Sequence, residues 1–354
     1  MKPFARASGV FSVLIFFLNL LIGCGGTTFQ REGTAASATA EKKPESTIPS
    51  RKIITTTGMV TDIVRQVVGS YGQVSGLIEA GGDPHLFKPT RGDVKRLYEA
   101  DIVFYSGLIL EGRMSQTFEQ LAHAGKPVFA VTERIDRANL RTFSGSPTHP
   151  DPHVWMEVAK WSECVQHVAE SLAGLDPALA LEYHRNAARY LLELNRLEEY
   201  TKASIASIPE KHRVLVTAHD AFGYFSQAYG IPVMSVQGIS TVAEAGVLDV
   251  NRLVDFLVAR KLPAIFVESS VNAKNIQAVI EGVASRGVTV RIGGELFSDA
   301  MGREGTYEGT YLGMIDHNAT TITRALGGTA PAGGLHGKLS GHSLQNVPTE
   351  GVTE

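Results

Sequence analysis

The sequence predicts an α/β protein made of two doubly wound (β/α) lobes joined by a single long backbone helix. Three observations predict it. Short β-branched runs alternate with amphipathic stretches over residues 52–131. The same alternation returns over residues 213–326. Strands that alternate with helices imply parallel sheets with crossover connections. Between the halves, a helical pattern runs unbroken from Asp176-Pro177 to Ile208, just before Pro209. At about 1.5 Å per residue this is roughly 50 Å of helix, too long for either lobe, so it reads as a strut.

The ends of the chain fall outside this fold. Lys2 and Arg6 give a short basic start, and residues 10–22 are mostly apolar. A spanning helix needs roughly 20 apolar residues, so residues 1–23 read as a secretory signal. Leu21-Ile22-Gly23-Cys24 resembles the bacterial lipobox. That resemblance implies removal of the signal and diacylation of Cys24, which would hold the protein on a membrane. Residues 24–50, rich in Thr, Ala, Ser, Gly and Glu, read as a flexible tether. Residues 327–354 repeat that composition and read as a disordered tail carrying His336 and His342.

The N-terminal lobe is assigned to residues 51–174. Its strand signals lie at 52–57, 74–78, 101–105 and 127–131, and its helical signals at 59–68, 90–98 and 114–123. Cys164 falls in a further helical pattern and reads as a buried structural thiol. The linking helix occupies 175–209, with Asp176 as N-cap and Pro177 at the first helical position. The C-terminal lobe is assigned to residues 210–326. Strands are expected at 213–217, 232–236, 264–268 and 288–292, and helices at 221–229, 247–260, 273–285 and 311–326.

Composition excludes some functions. The formal charge of −3 becomes about −5 once Lys2 and Arg6 leave with the signal. No basic face for nucleic acid is expected. The chain has two cysteines, so with Cys24 acylated no internal disulfide can form. A core of this size does not need one.

The chemistry concentrates in a few residues. Asp83-Pro84-His85 and Asp151-Pro152-His153 repeat one tripeptide. His219 closes the apolar run Val214-Leu215-Val216-Thr217-Ala218, and Asp299 sits in Leu296-Phe297-Ser298-Asp299-Ala300. Most of these residues closely follow expected strands, where open α/β sheets bind ligands. Three imidazoles and a carboxylate suit zinc and tolerate manganese. Asp83 and Asp151 read as turn caps stiffened by the following proline. Asp220 and Glu268 are candidates for orienting the imidazoles by accepting their other N–H. For Glu268 an ion pair with arginine is the competing reading. His149 lies two residues from Asp151 and could recruit metal at a cleft mouth.

These residues, with Leu86-Phe87-Lys88-Pro89-Thr90, Val154-Trp155-Met156, Asp220-Ala221-Phe222-Gly223-Tyr224-Phe225 and Ala300-Met301-Gly302, carry a resemblance. The chain resembles the zinc/manganese-binding solute-binding lipoproteins of bacterial metal ABC transporters (solute-binding protein family 9). The resemblance covers about residues 53–326. It implies two (β/α) lobes around an interlobe cleft, with Zn²⁺ or Mn²⁺ bound there as transported ligand by His85, His153, His219 and Asp299. It implies no enzymatic activity and delivery of the ion to an ABC transporter permease and its ATPase. It places the protein in the cell envelope, lipid-anchored on the periplasmic or extracellular face of a bacterial membrane. A monomer is expected. Manganese-preferring members often carry Glu where this chain has His219. Many zinc-preferring members carry a long His-rich loop, where this chain has the short stretch 137–150. The competing functions are a zinc-dependent hydrolase and a lipoprotein adhesin. Against the hydrolase stand the missing His-Glu-x-x-His helix and Asp299 at the fourth coordination position. The strut implies limited hinge motion and release by local loop shifts.

Overall fold

The computed structural model describes residues 50–143 and 146–340. Cys24, the signal, nearly all of the tether and His342 therefore lie outside the described residues. Before the long helix, four parallel strands form one sheet in the order β2-β1-β3-β4: β1 (Arg51–Thr55), β2 (Gly72–Gly76), β3 (Ile102–Tyr105) and β4 (Val128–Ala130). Helices α1 (Gly58–Val68), α2 (Arg91–Glu99) and α3 (Ser115–His123) make the crossovers. The first two begin at side-chain caps. Thr57 caps α1, and Thr90 with Asp93 forms a reciprocal capping box on α2.

One antiparallel hairpin is new relative to the sequence reading. Strands β5 (Thr142–Phe143) and β6 (Ser146–Pro150) pair just ahead of the second Asp-Pro-His tripeptide. Helix α4 (Val158–Leu175) then leads through a short turn at Pro177–Leu179 into α5 (Ala180–Ala206). Asp176 does not cap α5 directly. It starts the short turn, and its carboxylate pairs with the guanidinium of Arg51. The 27 residues of α5 make it about 40 Å long, shorter than expected because that turn takes its first residues.

The second lobe carries β7 (Leu215–Thr217) parallel to β8 (Val233–Ser235), and β9 (Ala264–Glu268) parallel to β10 (Arg291–Leu296). β7 also lies beside β9. Helices α6 (Gly223–Tyr229), α7 (Val247–Arg260), α8 (Lys274–Ser285) and α9 (Tyr311–Ala325) complete it. β10 starts three residues later and ends four residues later than the sequence suggests. Gly293-Gly294, which punctuate strands in most contexts, instead mark a register shift between Ile292 and Glu295. A side chain at Gly293 would lie 2.7 Å from the Phe266 ring, so glycine lets β10 close on β9.

α5 binds the halves together. It packs on α1 and α4 before it in sequence and on α6 and α9 after it. Its hydroxyls make cross-links: Tyr190 donates to buried Asp62 of α1 at 2.6 Å, and half-buried Tyr200 meets Thr320 of α9 at 2.7 Å. Glu198 accepts from Tyr229 of α6 at 2.6 Å. The main core runs continuously through this junction. Trp155, Trp161, Tyr183, Phe225 and Tyr311 are all wholly buried in it. Each large aromatic contributes on the order of 2–3 kcal/mol by leaving water.

The tail departs from expectation over part of its length. Residues 327–340 fold back instead of hanging free. The amide of Leu335 donates to Asp316 Oδ1 at 2.9 Å, and that of Ser340 donates to Glu308 Oε1 at 2.9 Å. Glycine-rich composition suggested disorder, but those glycines serve the turns of a backbone that buried carboxylates hold by its N–H groups.

Candidate metal centre

The two Asp-Pro-His tripeptides fold alike. In the first, Asp83 Oδ1 accepts the backbone N–H of His85 at 2.8 Å; in the second, Asp151 Oδ1 accepts that of His153 at 3.0 Å. Proline between them fixes the turn, so each imidazole leaves its loop in a set direction. His219 follows β7 directly, and Asp299 follows β10. Two donors thus come from before α5 and two from after it.

All four meet. One ligand atom from each of His85, His153, His219 and Asp299 lies within 4.8 Å of all the others. The Asp299 oxygens lie 3.6 Å from His85 Nε2, 3.4 Å from His153 Nε2 and 3.2 Å from His219 Nε2. The Nε2 atoms of His85 and His153 are 3.3 Å apart. Donors at 2.0–2.2 Å from a tetrahedral zinc stand about 3.3–3.6 Å from one another. These four separations lie close to that range, and no pair in the set exceeds 4.8 Å. Both Asp299 oxygens face the imidazoles, so a bidentate carboxylate and a fifth coordination bond are also within reach. His85 is 7% exposed, Asp299 1%, and the other two are fully buried. His219 Nε2 and both oxygens of Asp299 are buried without a hydrogen-bond partner. Such atoms are costly unless something charged pairs with them.

The other ring nitrogens are held. Asp151 Oδ1 takes His153 Nδ1–H at 2.7 Å. Glu268 Oε2 takes His219 Nδ1–H at 2.5 Å, while its Oε1 accepts the amides of Ala218 and His219 at 2.7 and 2.9 Å. This fixes both tautomers with Nε2 turned toward Asp299. Glu268 therefore orients an imidazole, and among the described residues it pairs with no arginine. Asp220, the other candidate for that task, makes no hydrogen bond to an imidazole; Asp151, read as a turn cap alone, does that work for His153. The Asp83 carboxylate has a different second partner. It accepts from Thr241, across the lobes, at 2.5 Å.

Trp155 also escaped the sequence reading as a site residue. Its indole N–H donates to the carbonyl of Ser298 at 2.9 Å, and its own carbonyl accepts from Tyr311 at 2.7 Å. The chain two residues after His153 is thus tied to the residue just before Asp299. The available signal was its position in His153-Val154-Trp155.

Charge follows the geometry. Burial lowers the pKa of His153, but Asp299 and Asp151 outweigh it and push the imidazole up to about 9. For His219 burial likewise loses to Glu268 and Asp299, and the pKa is raised well above its ordinary value. His85, without such a carboxylate on its far side, is pushed down by burial to about 4. Burial alone would raise Asp299, yet His219 and His153 hold it well below the usual carboxylate range. The carboxylates draw positive charge to one point.

The remaining described histidines lie outside this cluster. His317 donates to the carbonyl of Glu295 at 2.8 Å, and His167 faces Glu133 at 3.2 Å. His336 lies 3.9 Å from Glu193, far in sequence from the four donors. His149 is exposed on β6.

A family model described as the periplasmic component A of the zinc-uptake complex, ZnuA, matches residues 53–325. This chain belongs to that family. Among the ZnuA family's characterised relatives, the zinc-binding protein TroA of Treponema pallidum is 44% identical over 300 residues, covering 85% of this chain and 94% of that protein. The manganese-binding lipoprotein MntA of Bacillus subtilis is 41% identical over 318 residues, covering 90% and 99%. The solved structure of periplasmic zinc-binding TroA from Treponema pallidum matches with a TM-score of 0.76 at 45% identity, over 78% of this chain and 99% of that one. The α/β fold with two lobes about a His and Asp site is that of the family. Members are solute-binding proteins of metal ABC importers, not enzymes, and work outside the cytoplasm with a permease and an ATPase. The hydrolase and adhesin readings find no support.

Proposed function

We propose that the protein captures a divalent transition metal, zinc first and manganese second, and hands it to its permease for import. His85, His153, His219 and Asp299 are the proposed ligands, with Glu268 holding His219. The observation that carries this is the convergence of three imidazole nitrogens and one carboxylate within 4.8 Å of one another. Irving–Williams affinity favours zinc, and a carboxylate able to bind through both oxygens is what lets the site serve manganese. The lobes are proposed as residues 51–174 and 210–326, with 175–209 linking them. Cys24 is the proposed lipid anchor, in keeping with relatives named as lipoproteins. Among the described residues no helix is long and apolar enough to cross a membrane. The protein is proposed to act as a monomer.

Elemental analysis after loading from an equimolar zinc and manganese mixture tests this. One ion per chain is expected, mostly zinc, and His153→Ala should lose it. A chain that retains no ion after desalting would overturn the proposal.

A further inference from the structure

The carboxylate that orients His153 has a second oxygen whose surroundings are also built. Asp151 Oδ2 is buried and makes no hydrogen bond of normal length. Arg141 Nε faces it at 3.5 Å and is itself buried without a partner. One is an anionic acceptor, the other a cationic donor, and neither has another match. A charge-assisted pair needs only a few tenths of an ångström of closure.

The chain around Arg141 is shaped to keep the guanidinium there. The amide of Asp151 donates to the Arg141 carbonyl at 2.8 Å. Tyr224, in the first turn of α6, accepts from the Arg141 amide at 3.0 Å and donates to the Asp151 carbonyl at 3.1 Å. The guanidinium carbon lies 5.8 Å from the centre of the Tyr224 ring. Gly223 leaves the remaining room: a Cβ there would stand 2.6 Å from Nη2 and 2.7 Å from Nε. Arg141 and Asp151 precede α5, while Gly223 and Tyr224 follow it, so both halves of the molecule clasp this group.

Charge gives the arrangement a purpose. With a divalent ion on three neutral imidazoles and Asp299, the buried carboxylates of Asp151 and Glu268 leave net negative charge. Arg141 offsets it. Without that partner, Asp151 Oδ2 is a buried anionic oxygen with no compensating charge, held only through the contacts of Oδ1 to His153.

We propose that Arg141 is a positioning residue for metal binding: it fixes the Asp151 carboxylate and, through it, the direction of His153 Nε2. This rests on His153 being a ligand. The test uses the folded protein with Co²⁺ as a visible-absorption probe and Zn²⁺ release to a chelator, with Arg141→Met, Arg141→Lys, Gly223→Ala and His153→Ala. Thermal melts confirm folding of each. Arg141→Met should bind about tenfold more weakly, release faster and shift the cobalt band, as loss of an outer hydrogen-bond partner does. Gly223→Ala, which displaces the guanidinium without removing charge, should shift the band in the same way. Arg141→Lys should recover part of the affinity, since it restores charge but not the planar fork. Wild-type affinity and band in Arg141→Met and Gly223→Ala, beside lost binding in His153→Ala, would overturn the role of Arg141 alone. Tighter binding in Arg141→Met would overturn it too. Undiminished binding in His153→Ala would instead overturn the ligand assignment beneath it.

Discussion

Glu268 Oε2 lies 2.5 Å from Nδ1 of His219, and the partner oxygen receives the two amides of the same loop. One carboxylate thus holds both the imidazole and the backbone that carries it. Glu268→Gln can accept from Nδ1–H with its one oxygen but sets its NH2 against the two amides, so it should weaken zinc binding several-fold. Glu268→Ala should cost roughly 10–100-fold in affinity. Titration calorimetry checks this; equal affinities for both variants would contradict it.

The same contact makes His219→Glu informative. A carboxylate at that position would face Glu268 inside the protein, where like charges repel strongly. The ion-free variant should melt several degrees below wild type, and saturating manganese should restore most of the loss. Scanning calorimetry with and without metal measures both.

Proton release reports the charge state of the site. His153, pushed up to about 9, and His219, also raised, carry protons near neutrality in the ion-free protein, whereas His85, pushed down to about 4, does not. Bound imidazoles must be unprotonated at the metal-facing nitrogen, so zinc binding at pH 7 should release about two protons. Affinity should then rise with pH up to about 9 and weaken as pH falls. The sequence, using an ordinary histidine, places the decline only below about 6.5. Calorimetry in buffers of different ionisation enthalpy counts the protons, and a count of zero at pH 7 would reject the protonation pattern.

Trp155→Phe keeps most of the buried ring and removes the N–H that donates to the Ser298 carbonyl. The loss should be about 1–2 kcal/mol of stability. Metal affinity should fall several-fold as well, because the Asp299 loop loses its tie to the His153 loop. Denaturant unfolding and zinc titration of one sample separate the two effects.

Removal of residues 329–354 should destabilise the protein although the segment reads as a tail. Asp316 would lose the Leu335 amide at 2.9 and 3.0 Å, and Glu308 that of Ser340. The expected cost is about 1–3 kcal/mol for buried acceptors left with fewer partners. An unchanged melting temperature would show that the packing carries no weight.

Much of this was legible in the chain. Period-two and period-3.6 patterns located the main strands and helices because each buries one side against the core. Two of the four candidate donors stand out because Asp-Pro-His writes a turn and an imidazole together, while His219 and Asp299 join them at expected strand ends and through the family resemblance. Contacts between distant residues left no such local trace. Glu268 and Asp220 are equal candidates in the sequence for orienting an imidazole, and only the fold separates them, because Glu268 meets His219 from a neighbouring strand. Gly293-Gly294 look like an ending and are a bulge, since what decides is Phe266 on the neighbouring strand. The hairpin of β5 and β6 is too short to show alternation.

The four proposed donors are spread from position 85 to position 299, with α5 between the pairs. A chain cut or halted anywhere inside that span holds only some of them. Fragments, nascent polypeptides and half-folded molecules should therefore neither hoard the cation nor compete with finished copies for it. Occupancy becomes a certificate of completed folding, and whatever reads the loaded surface also screens out unfinished protein.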